Sequence, residues 1–203
     1  MKSQLAVKRI TDLLISLIAL IVLSPLLCLI AICIKFTSKG PVLFCQNRIG
    51  HGERLFVFLK FRSMIHDQQR IISEKEVDSL KRRGILYKQP NDPRITTIGH
   101  ILRKTSIDEL PQLINVLKGD MSIVGPRPLI PFMLEHLPEF KRRRSLVRPG
   151  LTGLWQVRDR MNNTKAEYMI KHDLEYVDSF SLFLDFKIIL FTIPLVIKGK
   201  GAH

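Results

Sequence analysis

A chain of 203 residues has room for one compact domain with a short appendage, but not for two full domains. Lys and Arg number 32 against 18 Asp and Glu, a formal charge of +14, which favours an anionic partner: nucleic acid, anionic lipid or phosphorylated small molecules. Yet 46% of the residues are hydrophobic, and charge and apolar content segregate along the chain rather than mixing. The three cysteines, Cys28, Cys33 and Cys45, have no CxxC spacing and argue against a disulfide framework. The histidines are scattered, form no HExxH and give a structural zinc site little support. This usage fits a reducing, cytosol-facing location.

Residues 13–34 (LLISLIALIVLSPLLCLIAICI) carry no formal charge and are long enough to span a hydrocarbon core of about 30 Å as a helix. The run is longer than a signal-peptide core, and no small-residue cleavage site follows it. Two features oppose a simple spanning helix. Ser24-Pro25 sits mid-run, where proline removes a backbone hydrogen bond and the serine hydroxyl can occupy a freed carbonyl. Both flanks are basic: Lys2, Lys8 and Arg9 precede the run, Lys35 and Lys39 follow it, and the positive-inside tendency keeps both ends on one side. A spanning helix and a re-entrant helix kinked at Ser24-Pro25 both remain open on these grounds. Asp12, just inside the first flank, is placed to pair with Lys8 or Arg9.

Gly40-Pro41 closes this segment and divides the chain into a membrane segment, 1–40, and a second region, 41–203. Residues 42–61 predict a β-hairpin, with Val42-Leu43-Phe44 and Leu55-Phe56-Val57-Phe58 about a turn at Gly50-His51-Gly52. Residues 65–83 are polar and read as a solvated helix or loop, and Asn91-Asp92-Pro93 marks a turn. From Ser106 the apolar residues recur at helical spacing. Ser106 with Glu109 has the capping-box pattern, Pro111 suits a first turn, and Lys118-Gly119 is a helix stop. On this reading Asp108 and Glu109 lie at a helix N-terminus. Residues 180–197 are strongly apolar but carry Asp185, Lys187 and Pro194, and predict an amphipathic helix at a membrane interface or half-buried against the domain.

Neighbouring carboxylates are common in an ordinary acidic first turn. Asp108 and Glu109 differ in their company. Arg103 and Lys104 precede them, and Arg127 follows in a stiff Pro126-Arg127-Pro128 stretch. A helix N-terminus with several cations suits a phosphate, and proline flanks lower the entropy lost in fixing an arginine clamp. An aspartate so placed can attack phosphorus, while its neighbour moves a proton or helps hold a divalent metal such as Mg²⁺. The basic run Lys141–Arg144 reads instead as a solvated face or a contact for anionic membrane lipids.

Taken together, Ser24-Pro25, Lys60-Phe61-Arg62-Ser63-Met64, Asp92-Pro93-Arg94, Arg103-Lys104-Thr105-Ser106-Ile107-Asp108-Glu109-Leu110-Pro111-Gln112, Gly119-Asp120-Met121-Ser122-Ile123-Val124-Gly125-Pro126-Arg127-Pro128 and Arg148-Pro149-Gly150-Leu151-Thr152-Gly153 strongly resemble the bacterial sugar transferase family, the monotopic phosphoglycosyl transferases. The resemblance implies an α+β, mainly helical fold. It would have a re-entrant membrane helix broken at Ser24-Pro25, a short β-hairpin, interfacial amphipathic helices and a catalytic domain on the cytoplasmic face of the bacterial inner membrane. It implies that Asp108 attacks the β-phosphate of a UDP-sugar, releasing UMP, and that polyprenyl (undecaprenyl) phosphate then takes the phosphosugar. This would initiate exopolysaccharide, capsule, O-antigen or glycoprotein glycan assembly. Glu109 would move a proton or place metal. Arg103, Arg127 and Lys60 would bind phosphate, and Asp108 would contact Mg²⁺. Extended members carry further N-terminal helices and another domain, so the chain resembles a minimal catalytic form; its Gly-Leu-Trp-Gln stretch and Gly201-Ala202 ending look closer to the hexose-1-phosphate branch. Two rivals stand beside this reading. One is a membrane-tethered nucleic-acid binder, which 7% aromatics and the lack of a binding motif disfavour. The other is a non-catalytic partner in a polysaccharide assembly complex. The sequence leaves the oligomeric state and the sugar open.

Overall fold

A computed structural model describes residues 2–66, 92–158 and 166–197; most of the polar 65–83 stretch and the Gly201-Ala202 ending fall outside the described residues. The described part is mainly helical, as the sequence leads one to expect. Helix α1 runs over Lys2–Thr37 with Pro25 inside it. Among the described helices it is the one long and apolar enough to cross a membrane. Proline has no N–H to offer the Ile21 carbonyl, and the Ser24 hydroxyl donates to that oxygen at 2.7 Å. One face of α1 is buried through Asp12, Ser16, Ile30 and Ile34, at helical spacing. Leu14, Leu17, Ile18, Ile21, Val22 and Leu29 are exposed.

Both ends of α1 are tied to the rest of the chain. Arg9 donates to the Val116 and Leu117 carbonyls at 2.7 and 2.9 Å. These lie in the last turn of a later helix, where carbonyls lack intrahelical partners and a cation is favoured. Lys8 reaches Asp185 at 2.5 Å and the Val124 carbonyl at 3.0 Å. Asp12 therefore pairs with neither Lys8 nor Arg9, contrary to the sequence reading. It lies on the buried face, and its Oδ1 accepts the Ile123 N–H at 3.0 Å. A buried backbone donor must be satisfied, and that requirement outweighs a local pair between side chains on one helix. At the other end, Arg62 donates to the Ser38 carbonyl at 2.7 Å and to the Ile34 carbonyl at 3.3 Å.

Strands β1 (Leu43–Ile49) and β2 (Leu55–Phe61) form the expected antiparallel hairpin, in register from Leu43 opposite Phe61 to Ile49 opposite Leu55. The turn contains a single 3-10 turn over His51–Glu53, with Gly52 at φ 61°. Along β2, Phe56 and Phe58 are buried while Leu55 and Val57 are exposed, the period-2 pattern of a half-buried strand. Helices α2 (Thr97–Thr105) and α3 (Gln112–Lys118) follow, and α3 ends at Gly119 with φ 91°, the glycine stop read from sequence. Strand β3 (Ser122–Val124), helix α4 (Pro138–Arg144) and strand β4 (Gly150–Thr152) come next, β3 pairing with β4 in parallel. Helices α5 (Leu154–Arg158), α6 (Ala166–Asp178) and α7 (Leu182–Ile197) complete the order.

The main core joins Phe56 and Phe58 of β2 to Leu113 and Val116 of α3, Ile123 and Val124 of β3, and Ile188 of α7. A smaller core unites Ile30 and Ile34 of α1 with Phe61 and Leu102. Helix α7 is half-buried against the domain, the second of the two placements expected of it. It turns Ile188 and the ion-paired Asp185 inward, whereas Phe183, Phe186, Leu190, Phe191 and Ile193 are exposed, so its outer face is apolar as well.

Asn115 fixes α3 against the hairpin. Its Oδ1 accepts the Leu59 N–H at 3.0 Å and its Nδ2 donates to the Val57 carbonyl at 2.7 Å, so one side-chain amide continues the ladder along the free edge of β2. Asn115→Leu leaves both backbone groups without these partners, each worth about 1–3 kcal/mol. A clearly lower unfolding temperature for the purified protein is the expected result.

Candidate active site

Helix α2 ends where Ser106 turns left-handed at φ 57°, and a 3-10 turn over Ile107–Glu109 leads into α3. The capping box is not formed. Ser106 closes α2, its N–H bonding the Arg103 carbonyl at 3.1 Å, and its side chain does not cap the 3-10 turn. A left-handed residue between two helical segments aims its side chain away from the next turn's N–H groups, which is why the sequence pattern misleads here. Asp108 and Glu109 still stand just ahead of α3, as the sequence suggested. The Pro111 φ of −58° suits the entry to that helix.

Asp108 is 2% exposed, and its Oδ2 lies 2.6 Å from Lys60 Nζ at the end of β2. Burial pushes the Asp108 carboxyl above the usual range and the Glu109 charge adds to this; the ammonium of Lys60 and, less strongly, Arg103 oppose it. Glu109 Oε1 takes a hydrogen bond from Arg127 at 3.2 Å. Arg103, one turn before Ser106, donates through Nε to Ser63 Oγ at 3.0 Å. Gly99 permits that approach: a Cβ there would stand 2.0 Å from the Ser63 carbonyl oxygen, so any larger residue drives α2 off the hairpin. Burial lowers the Arg103 guanidinium, and Asp108 and Asp92 pull it back up.

These elements enclose a cleft of about 240 Å³ whose lining includes Arg48, Lys60, Arg94, Arg103 and Arg127. The structure thus brings Lys60, Arg103, Arg127, Asp108 and Glu109 together, while Ser24 and Pro25 belong to α1 alone. Sequence reading missed three lining residues. Arg48, from β1, has its guanidinium 5.1 Å from the Phe58 ring centroid, and burial and neighbouring Arg127 push it down to about 9, still a cation at neutral pH. Arg94 forks onto Asp92, with Nε–Oδ1 2.9 Å and NH2–Oδ2 2.6 Å, and these bonds hold the Asp92 carboxyl below the usual range. Gln112 follows one turn after Asp108. It is 2% exposed, and its Nε2 has no hydrogen-bond partner among the described residues. Arg48 carried no local signal, because only the fold sets it beside the carboxylates. Arg94 and Gln112 sat in motifs already singled out.

The basic run on α4 is a solvated face as expected at Lys141, Arg142 and Arg143, which pair with Glu53, Glu139 and Asp178 at the surface, but not at Arg144, which is buried and pairs with Asp173 at 2.9 Å. Among the described residues no group of three or more His, Cys, Asp or Glu side chains is placed to hold a metal ion.

The chain thus combines a cationic cleft, a buried carboxylate paired with one of its lining cations, and a long apolar helix with an exposed face. The chain belongs to the bacterial sugar transferase family, which it matches over residues 3–199. Galactosyl transferase CpsE of Streptococcus agalactiae serotype III is 47% identical over 163 residues, covering 80% of this chain and 36% of that protein. The exopolysaccharide production protein ExoY of Sinorhizobium fredii is 40% identical, with coverage of 97% and 88%. The undecaprenyl-phosphate galactose phosphotransferase of Salmonella typhimurium is 39% identical, with coverage of 100% and 43%. The chain therefore spans most of ExoY but less than half of the other two relatives.

The Asp108 carboxyl, followed by carbon NMR, should titrate with a midpoint above the ordinary value of about 3.9. Lys60→Met removes the main opposing charge and should move the midpoint higher still. A midpoint at or below the ordinary value would show that Lys60 outweighs burial.

Proposed function

We propose that the chain transfers a sugar-1-phosphate from a UDP-sugar to polyprenyl phosphate, giving a polyprenyl-diphosphate sugar and UMP, and so initiates the assembly of a bacterial surface polysaccharide or glycan. The carrying observation is Asp108, buried and ion-paired to Lys60 at 2.6 Å on a cleft with five cationic side chains. The Salmonella relative, an undecaprenyl-phosphate galactose phosphotransferase, supports the choice of acceptor.

In the first step an Asp108 oxygen bonds the β-phosphorus, and the bond from that phosphorus to the bridging oxygen breaks. UMP departs with the electron pair, leaving an aspartyl phosphosugar. In the second step a phosphate oxygen of the lipid attacks the same phosphorus and frees Asp108. Glu109 takes any proton the acceptor phosphate still carries. Lys60 keeps Asp108 ionised against its burial, and Arg103, Arg127 and Arg48 neutralise the phosphoryl oxygens as charge shifts to the leaving group.

Mg²⁺ fits this site in the manner usual for that ion, held by one or two carboxylates together with substrate phosphates and water. Asp108 and Glu109 are adjacent hard-oxygen donors and are the residues that would hold it. When bound, the ion would shield the diphosphate and polarise its oxygens.

The same reading places the domain on the cytoplasmic face of the inner membrane, with α1 entering and leaving by that face and bending at Ser24-Pro25. Lys8, Arg9 and Asp12 at one end and residues 34–38 at the other are all bonded to one folded unit. A helix crossing the bilayer would have to release one set. The exposed apolar residues lie between these ends and on α7.

Asp108→Asn should lower UMP release from a UDP-sugar by at least about a thousandfold, with folding intact, and wild-type enzyme should yield a phosphosugar adduct mapping to Asp108. Activity should fall as pH drops through the raised Asp108 pKa, because the ionised form attacks, so the acidic limb lies above the ordinary carboxylate range. Tolerance of both Asp108 and Glu109 substitutions in a complementation assay would instead favour a non-catalytic assembly partner. For topology, single cysteines at positions 3 and 38 of a cysteine-free variant should both react with an impermeant maleimide from the cytoplasmic side. Reaction from opposite sides would overturn the re-entrant arrangement.

A further inference from the structure

The loop that presents Arg127 is held in an unusual way. Three successive carbonyls each accept a hydrogen bond from a different element. Pro126 O accepts from the Gly150 N–H at 2.9 Å, Arg127 O from Arg144 NH2 at 2.6 Å, and Pro128 O from Arg48 NH1 at 3.3 Å. Pro126 and Pro128 have no N–H, so the loop has few donors of its own and its carbonyls look outward for partners. The middle bond comes from a charged group inside the protein. Arg144 is 5% exposed, and the same NH2 that reaches Arg127 also reaches Asp173 Oδ2 of α6 at 2.9 Å, with Asp173 itself 3% exposed.

A buried ion pair is a poor device for stability alone. Taking both charges out of water offsets much of their attraction, and well-packed apolar replacements are often neutral or stabilising. What an apolar pair cannot supply is a donor to the Arg127 carbonyl. A guanidinium locked in place by a carboxylate supplies one in fixed geometry. Arg127 in turn extends to Glu109 Oε1 at 3.2 Å, so a chain of contacts runs Asp173, Arg144, Arg127, Glu109 from α6 to the side of the cleft.

We propose that Arg144 and Asp173 are positioning residues that act through the Arg127 backbone to set the Arg127 guanidinium for substrate phosphate. This rests on the proposed phosphosugar transfer and extends it to two residues outside the cleft.

The test is a double-mutant cycle on the full chain in nanodiscs, reading kcat and KM for UMP release from a UDP-sugar together with the unfolding temperature. The paired substitution Arg144→Met with Asp173→Leu removes the charges and keeps apolar bulk. Arg144→Lys, which retains a charge opposite Asp173 but is shorter and lacks the planar guanidinium that reaches the Arg127 carbonyl, serves if the pair fails to fold. Either change should lower kcat/KM by about 10–100-fold at a nearly unchanged unfolding temperature. In an Arg127→Ala background the same change should have less than about a twofold effect, because the route it acts through is gone. An equal loss in both backgrounds, or wild-type kcat/KM in the folded variant, overturns the proposal while leaving the transfer reading intact. An Arg127→Ala variant with full activity overturns the phosphate-binding role of Arg127 itself, and the positioning role with it.

Discussion

The pairing of the Asn115 amide with the free edge of β2 is the constraint on which the site depends. Strand β2 carries Lys60 at its end, and the segment entering α3 carries Asp108 and Glu109. These pieces are distant in sequence, and without a registered contact their charges would find solvent. The two hydrogen bonds from Asn115 are directional, and a one-residue slip of β2 would leave both unmade. Hydrophobic packing of Phe56 and Phe58 on Leu113 and Val116 supplies attraction, but not register. The amide supplies the register, and the 2.6 Å contact of Lys60 with Asp108 follows from it.

Once assembled, the cleft is electrostatically unbalanced by design of its lining. Arg48, Lys60, Arg94, Arg103 and Arg127 face it, and the carboxylates that meet them, Asp92, Asp108 and Glu109, are fewer. Burial lowers Arg48 and Arg103 and raises Asp108, the direction in which desolvation disfavours every charge present. On the proposed reading, an incoming diphosphate would relieve these cations and compete with Asp108 for Lys60.

Much of this was legible in the chain, and the gaps have physical causes. The hairpin, the glycine stop at Gly119 and the apolar first helix follow from period and turn chemistry, which are local signals, while the grouping of Lys60 with Arg103, Arg127, Asp108 and Glu109 came from the family resemblance. The failures share one origin. Ser106, Asp12 and Arg144 were each assigned a nearby or solvent partner, and in the fold Asp12 and Arg144 serve a buried group far along the chain, while Ser106 closes the helix behind it. A local pattern shows what a side chain can bond. The unsatisfied donors and acceptors that folding buries decide what it does bond. Arg48 is the same lesson at the cleft, since it stands in no suggestive local context.

The apolar surface completes the logic of the site. Helices α1 and α7 turn Asp12, Lys8 and Asp185 inward and leave many of their large apolar side chains outside, the reverse of a soluble domain's usual arrangement. The inward charges do more than avoid lipid. Lys8 joins α1 to α7 and to β3, and Tyr176 of α6 donates to the same Asp185 at 2.8 Å, so one polar knot fastens both apolar helices to the strand that leads directly into Pro126 and Arg127. Whatever covers the outer faces of these helices is therefore tied to the same backbone that carries Arg127. The apolar surface and the geometry of the cleft are in this way one structural problem, solved by the same buried charges.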